Sequence, residues 1–305
     1  MDVTTVITYL KDFLATFLTL LMMMSPAFGG NATSYQAERP DELIASFSVV
    51  SDIHVEPNNP ERYNNLKNVL EGIKAGETVD AAIYTGDNVM NGQVLETFFF
   101  YSAVRAVMPS ENNIVLAGNH DYGNGEGDYS TLRANYIANS ELYLGDKIGN
   151  DYFYKVINGC YVICLVSEKE STDDFTMTRD QLSWLEGVLK EAQQADAPIL
   201  VFNHYPLRYL DGNDGFSEVD KTELAELLVN YGTDLFVHGH IHDDLGEDNF
   251  YDSYGVNCIN LPRCTEITEY EAGDGIVIEV YEDEILVRGR DFIKGEWIEG
   301  LEYSY

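Results

Sequence analysis

The stretch from Ala45 to Val55, ASFSVVSDIHV, opens with a run rich in β-branched residues and ends on two metal-philic side chains, Asp52 and His54. The run reads as a buried β-strand. Polar residues at its carboxyl end would sit on the sheet edge where open α/β folds bind their ligands. Whether the chain repeats this arrangement decides its fold.

It does. ERYNNLKNVLEGIKAG follows, with helical spacing at Leu66, Val69, Leu70 and Ile73 and a glycine stop. AAIYTGDNV is a strand, VLETFFFYSAVRAVM a helix ended by Pro109, and NNIVLAGNHD a strand. After helical spacing near Leu132 to Leu142 comes DYFYKVINGCYVICLVSE, in which Asn158-Gly159 marks a hairpin turn. TRDQLSWLEGVLKEAQQA and EVDKTELAELLVNYG read as helices, PILVFNH and DLFVHGH as strands, and DGIVIEVYEDEILVRGRDF as a closing hairpin. Strand–helix alternation with later hairpins predicts an α/β sandwich, with parallel strands in the middle, antiparallel strands toward the edges and helices outside.

Five predicted strand ends carry the chemistry. They bear Asp52 and His54; Asp87; Asn119, His120 and Asp121; His204; and His240 and His242. Five of the six histidines are used, His238 being the exception within VHGHIH. His238 still belongs to the hydrophobic run LFVH and is expected to pack beneath the edge. Gly239 lets the chain leave the strand before His240. Imidazole, carboxylate and amide oxygen without thiolate suit Mn, Fe or Zn, or a weaker Mg site. Asp52, His54, Asp87, Asn119, His204, His240 and His242 are too many for one ion with water left over. They suffice for two divalent metal ions sharing a carboxylate, and ions about 3.5–4 Å apart can clamp the attacking and leaving oxygens of phosphoryl transfer.

The motifs SDIH, GDN, GNHD, NH and GHIH, in this order from about Ser51 to His242, resemble the calcineurin-like metallophosphoesterase superfamily. The resemblance implies a four-layer α/β/β/α sandwich of mixed sheets with a dinuclear centre. It implies that Asp52, His54 and His242 hold the first metal, that Asp87 bridges, and that Asn119, His204 and His240 hold the second. His120 would not bind metal. With Asn119 it would contact the substrate, stabilising charge or protonating the leaving oxygen, and Asp121 would stand behind it as a candidate orienting partner. The implied reaction is hydrolysis of a small phosphomonoester or phosphodiester by a metal-bridging hydroxide. The alternatives are an inactive scaffold of this fold that binds proteins, or a hydrolase of pyrophosphate or phospholipid headgroup bonds. Purple acid phosphatases of the superfamily carry a metal-binding tyrosine three residues after the bridging aspartate, where this chain has Met90. Secreted nucleotidases carry a large extra domain, for which edge strands leave no room after His242. MPSENNIVLAGNHD is loosely similar to small bacterial phosphodiesterases.

Composition narrows the partners. With 52 acidic against 18 basic residues the formal net charge is -34, so a nucleic acid polymer is not an expected partner. Neither GNGEGD (Gly123 to Asp128) nor DGNDGFSEVD (Asp211 to Asp220) meets a binding fingerprint: the first lacks GxGxxG spacing, and the second has Phe216 where a calcium loop needs glycine. Cys160 and Cys164 are about 13 Å apart along one strand, too far to bridge. Cys258 and Cys264 could reach each other, but buried free thiols are the expectation for all four.

Residues 1–29 read as a signal peptide or as a helix lying on a membrane surface, 30–43 as a linker, and 44–305 as the folded domain. Phe13 to Met24 is apolar but shorter than the roughly 20 residues of a membrane span. Small residues at Ala27 to Gly29 suit cleavage, whereas Asp2 and Asp12 weaken the positive n-region. The expected location is therefore secreted or cell-envelope associated, with the cytoplasmic face of a membrane as the alternative. A cleaved signal predicts that the mature protein begins near Gly30; N-terminal sequencing that finds Met1 or Asp2 retained decides for the surface helix.

Overall fold

Strand β1 (Ala45–Val50) is buried along its whole length because both of its faces are covered. Ala45, Phe47 and Val49 point into a core between two sheets, and Val50 points into a core beneath helices. This is seen in a computed structural model that describes residues 42–76, 79–145, 148–168, 174–212, 217–265 and 272–305. The N-terminal segment (1–29), most of the linker, and residues 213–216 of the acidic loop lie outside the described residues. Among those described, no helix is long and apolar enough to cross a membrane.

The first sheet has the order β12-β11-β10-β1-β2-β3. Its members are β2 (Ala81–Thr85), β3 (Asn113–Leu116), β10 (Asp274–Val280), β11 (Ile285–Asp291) and β12 (Glu296–Ser304), with β1. The second, β4-β5-β6-β7-β9-β8, is built from β4 (Phe153–Ile157), β5 (Cys160–Cys164), β6 (Ile199–Phe202), β7 (Leu235–His238), β8 (Phe250–Ser253) and β9 (Val256–Asn260). Helices α1 (Pro60–Ala75) and α2 (Val94–Val107), with α3 (Tyr129–Asn139), cover the first sheet. Helices α4 (Arg179–Gln194) and α5 (Lys221–Asn230) cover the second. The four layers are α/β/β/α, as expected.

Topology departs from expectation in three places. In the second sheet the antiparallel strands β4 and β8 do lie at the edges. In the first, β3 is an edge strand parallel to β2, and the antiparallel partner β10 sits against β1 in the interior. The short hairpin β8–β9 was not legible because its strands are only a few residues long. It closes through Tyr254-Gly255, both at positive φ, and β9 then runs parallel beside β7. β12 is mostly exposed and lacks a clean alternation. It is held by pairing with β11, by Trp297 under Arg288 and Arg290, and by Tyr303 stacked on Phe250 at 4.1 Å. Asn158 and Gly159, also at positive φ, form the expected turn between β4 and β5, and all four cysteines are buried and free.

Gly72 lies inside α1, where alanine is the better helix former by about 1 kcal/mol. A Cβ there would fall within the van der Waals shell of the Phe292 carbonyl, which follows β11. Tertiary packing opposes propensity, and a backbone atom cannot swing aside. Gly72→Ala is expected to lower the melting temperature by several degrees; a rise would show that the helix, and not this docking, limits stability at the site.

Candidate metal centre

The parallel strands β1, β2, β3, β6 and β7 all point their carboxyl ends at one edge of the sandwich. Past β1 and β2 the loops stay laddered: His54 N donates to Asp87 O at 2.8 Å and Val55 N to Asn88 O at 3.1 Å. In the second sheet Gly239 N donates to His204 O at 3.0 Å. Asp52 (φ 52°), His54 (49°), Asp87 (52°), His240 (72°) and His242 (63°) adopt left-handed backbone, and they make up five of the nine non-glycine residues at positive φ among those described. Such conformations cost about 1–3 kcal/mol each and persist only where the surroundings enforce them. Strain is thus concentrated in the candidate ligands.

Two glycines make the convergence sterically possible. A Cβ on Gly118 would collide with the Asp87 carboxylate and the His204 ring, and one on Gly239 with Ser51 and the Asp52 carboxylate. The glycines of GNHD and HGH are there for close approach.

Asp52, His54, Asp87 and His242 each offer a ligand atom, and these atoms all lie within 4.8 Å of one another. His242 Nε2 is 2.8 Å from Asp52 Oδ1 and 3.1 Å from His54 Nε2. On the other side of Asp87, its Oδ2 is 3.2 Å from His204 Nε2, which is also 3.2 Å from Asn119 Oδ1. Asp87 Oδ2 is therefore shared, lying 3.8 Å from His54 Nε2 as well. The His240 ring meets that of His204 edge-on at 5.1 Å, and its backbone N–H donates to Asp52 Oδ2 at 3.1 Å.

The donor chemistry fits bound cations. His204 Nδ1–H donates to Thr85 O at 3.1 Å, which leaves Nε2 turned toward two oxygen acceptors. Asn124 fixes the Asn119 amide by accepting from Nδ2 at 2.9 Å, so Oδ1 faces His204. That hydrogen bond uses one of the two Asn119 Nδ2 hydrogens. Lone pairs converge with only a proton or a metal ion to satisfy them. Burial opposes a charge on His204, yet the facing Asp87 carboxylate prevails and raises its pKa to about 9. Burial likewise opposes ionisation of Asp52, but the hydrogen bond to His242 and the charges of His204 and His242 bring its pKa to about 2. Asp87 is held well below the usual carboxylate range against its burial, by the charge and hydrogen bond of His204. Burial depresses His54 and His240 to about 4, which keeps both imidazoles unprotonated as ligands must be. His54 Nδ1 is buried with no hydrogen-bond partner.

His120 stands beside this cluster with its ring edge-on to His54 at 4.6 Å. Its Nδ1–H donates to Met90 O at 2.7 Å, and its backbone N–H to Asp87 Oδ1 at 2.9 Å. Its Nε2 is 4.0 Å from Asp87 Oδ2. The partner that orients the ring is thus a backbone carbonyl and not Asp121, which corrects the expected arrangement. Asp121 is buried and turned away: its carboxylate accepts from Gly118 N (2.8 Å), Asn88 N and Nδ2 (both 3.2 Å) and Val89 N (3.3 Å). Burial and the Asp87 charge raise its pKa to about 7. Its position lets it tie the loop bearing Asp87 to the loop bearing Asn119 and His120. Met90 carried a signal in sequence only as a missing tyrosine; the use of its carbonyl carried none.

His238, as expected, is not in the cluster. It is fully buried, with Nδ1–H donating to Gly239 O at 3.0 Å and Nε2 accepting from the Tyr251 hydroxyl at 2.6 Å. Burial lowers its pKa to about 3. We expect His240→Ala and His242→Ala each to lose one metal equivalent, and His238→Ala to keep both but to lose about 1–3 kcal/mol of stability through the orphaned tyrosine hydroxyl. Metal analysis of the three purified variants checks this, and a His238 variant short of one ion beside a His240 or His242 variant retaining both overturns the assignment.

Comparison with known proteins agrees with this geometry. The family model described as calcineurin-like phosphoesterase matches residues 45–244. A dimetal phosphatase from Danio rerio superposes with a TM-score of 0.57 at 16% identity, covering 86% of this chain and 98% of its own. A purple acid phosphatase from yellow lupin, Lupinus luteus, gives a TM-score of 0.56 at 12% identity, over 85% of this chain and 53% of its own. Purple acid phosphatase 23 of Arabidopsis thaliana is 30% identical over 107 residues, which span 34% of this chain and 20% of that protein. The solved structures speak for the fold, and the family match covers every strand end that carries a candidate ligand: the chain belongs to the calcineurin-like phosphoesterase family.

Proposed function

We propose that the protein hydrolyses small phosphoesters at a pair of divalent metal ions. The observation that carries this reading is the position of Asp87 Oδ2, buried between the His54 and His204 nitrogens, with Asp52 and His242 on one side and Asn119 on the other. Asp52, His54 and His242 would hold one ion, Asn119, His204 and His240 the other, and Asp87 both. Bound there, Mn, Fe, Zn or Mg would supply charge to neutralise phosphoryl oxygens and to acidify a water.

His120 has the remaining task. Because Nδ1 is committed to Met90 O, Nε2 is the atom that faces the centre, and the side chain is 13% exposed, so a substrate can reach it. With Nδ1–H engaged, Nε2 carries a hydrogen in the imidazolium form, and from there it can donate to a phosphoryl oxygen as charge develops or pass that proton to the leaving oxygen. Asp121 contributes by holding the two loops that aim Asp87 and His120. The net charge of -34 supports a small substrate over a nucleic acid polymer. Export through the segment around Phe13 to Met24 is part of the same proposal.

Aryl phosphomonoesters and phosphodiesters assayed with Mn, Zn, Fe and Mg in turn test the reading; no turnover with any combination sinks it. His120→Ala is expected to lower kcat by about 10²–10³ with both metals retained. Asp87→Asn should lose metal and activity together, and near-native turnover with two ions bound would remove Asp87 from its bridging role.

A further inference from the structure

One flank of the candidate centre is aromatic. Tyr205 lies 4.5 Å from the His240 ring, and Tyr209 meets the same ring edge-on at 5.6 Å. Tyr209 ends a short helical turn, Leu207–Tyr209, that begins just after His204. The turn is rigidly seated. Leu207 and Leu210 are fully buried, Tyr209 N donates to Pro206 O at 3.0 Å, and Tyr209 O accepts from Phe175 N at 3.3 Å.

The same turn presents Arg208 to solvent. Its guanidinium lies 5.5 Å from the Tyr209 ring centre and 5.8 Å from that of Tyr251. Nη1 donates to the Tyr251 hydroxyl at 3.3 Å, and that hydroxyl donates to the buried His238. Arg208 is therefore anchored to β7 through neutral groups only. Four other arginines are paired with carboxylates: Arg62 with Glu56, Arg133 with Asp151, Arg179 with Glu223 and Arg288 with Glu279. Among the described residues no carboxylate lies within ion-pair distance of Arg208. Exposed Arg105 on α2 shares this lack of an ion pair, but Arg208 is the one joined through Tyr209 to the His240 ring, in a chain with 52 acidic and 18 basic residues. A guanidinium has five N–H donors in a fixed plane, of which one is used here. Cation–π contact with two tyrosine rings steadies the group without consuming the other donors.

We propose that Arg208, steadied by Tyr209 and Tyr251, binds a second anionic group, a phosphate or carboxylate, on a substrate whose phosphoester end lies at His120 and the candidate metal ligands. The favoured substrates are then small molecules with an anion at each end. A neutral tail would leave the guanidinium facing water with nothing gained. In the field of a strongly acidic protein, a fixed cation beside the site also offsets the repulsion that a doubly charged substrate meets on approach. This inference rests on the phosphoesterase reading, and one titration series separates the two.

The full-length protein with Mn is titrated calorimetrically with an alkane bisphosphonate and with the matching alkyl monophosphonate, neither of which can be hydrolysed. The bisphosphonate is expected to bind roughly five- to tenfold more tightly, the range for one partly exposed charge-assisted contact. Arg208→Gln is expected to bind the two with equal affinity, and Arg208→Lys to keep part of the difference. Equal affinities in the unsubstituted protein, or an undiminished preference in Arg208→Gln, overturn the role of Arg208 while binding of the monophosphonate still supports the phosphoester site. If neither phosphonate binds the metal-loaded protein, the inference falls together with the functional reading. The comparison within the unsubstituted protein decides the matter even if a variant folds poorly.

Discussion

Two carboxylates, Asp52 and Asp87, are buried at 0% and 1% exposure on adjacent strand ends, and every ion-pair partner they have among the described residues is a histidine. Burying a charge costs several kcal/mol unless it is paired, and a buried imidazole serves as a charged partner only where a carboxylate outweighs its own burial, as Asp87 does for His204. The local architecture answers this one constraint. Asp52 Oδ2 takes the His240 N–H and Asp87 Oδ1 takes the His120 N–H, so backbone dipoles from neighbouring loops share the load. The left-handed turns at Asp52, His54, Asp87, His240 and His242 place the side chains where one cation can face several of them. Divalent ions would complete what histidine protons satisfy only in part.

The sandwich is what allows ligands from distant parts of the chain to meet without a flexible loop. His204 and His242 come from the second sheet, Asp52 and Asp87 from the first. Cross-sheet bonds such as His204 Nδ1–H to Thr85 O at 3.1 Å lock the two edges in register. Phe47, Val49, Ile83, Phe202 and Val237 fill the space between the sheets below. A shift of either sheet would separate His204 and His242 from Asp52 and Asp87. Asp121 adds a polar brace within the first sheet. Four donors converge on its carboxylate, which stiffens the loops beside His120 without touching the imidazole.

Charge and chemistry pull against each other in this protein. A net charge of -34 repels phosphates at a distance, yet a phosphoesterase site would have to gather them. In the proposed function, bound cations would supply attraction at short range, with Arg208 and His120 beside them. Arg62, which donates to the His54 carbonyl, is already paired with Glu56. The outcome would be a site selective for small anions that can come close, with extended polyanions disfavoured along the rest of the surface.

Much of this was legible in the chain because strand–helix alternation and strand-end residues are local signals. The continuous apolar, β-branched run around Phe47 and Val49, the Asn158-Gly159 turn and the placing of Asp52, Asp87, Asn119, His204 and His242 at strand ends each depend on a few consecutive residues. So does the exclusion of His238, which sits inside a hydrophobic run. What needed the tertiary structure was everything that passes through backbone groups or joins remote segments. The orienting partner of His120 is a carbonyl, and every residue has one, so no residue type could point to Met90. Asp121 carries the type expected of a catalytic dyad, but its direction is set by three backbone amides from two loops. Strand β3 ended at a sheet edge, and β9 beside β7, because pairing is decided by which surfaces must be covered once the sheets stack. The lack of an ion-paired carboxylate at Arg208 among the described residues is likewise a property of space, since the chain around it is acidic and only the fold determines how near those acids come.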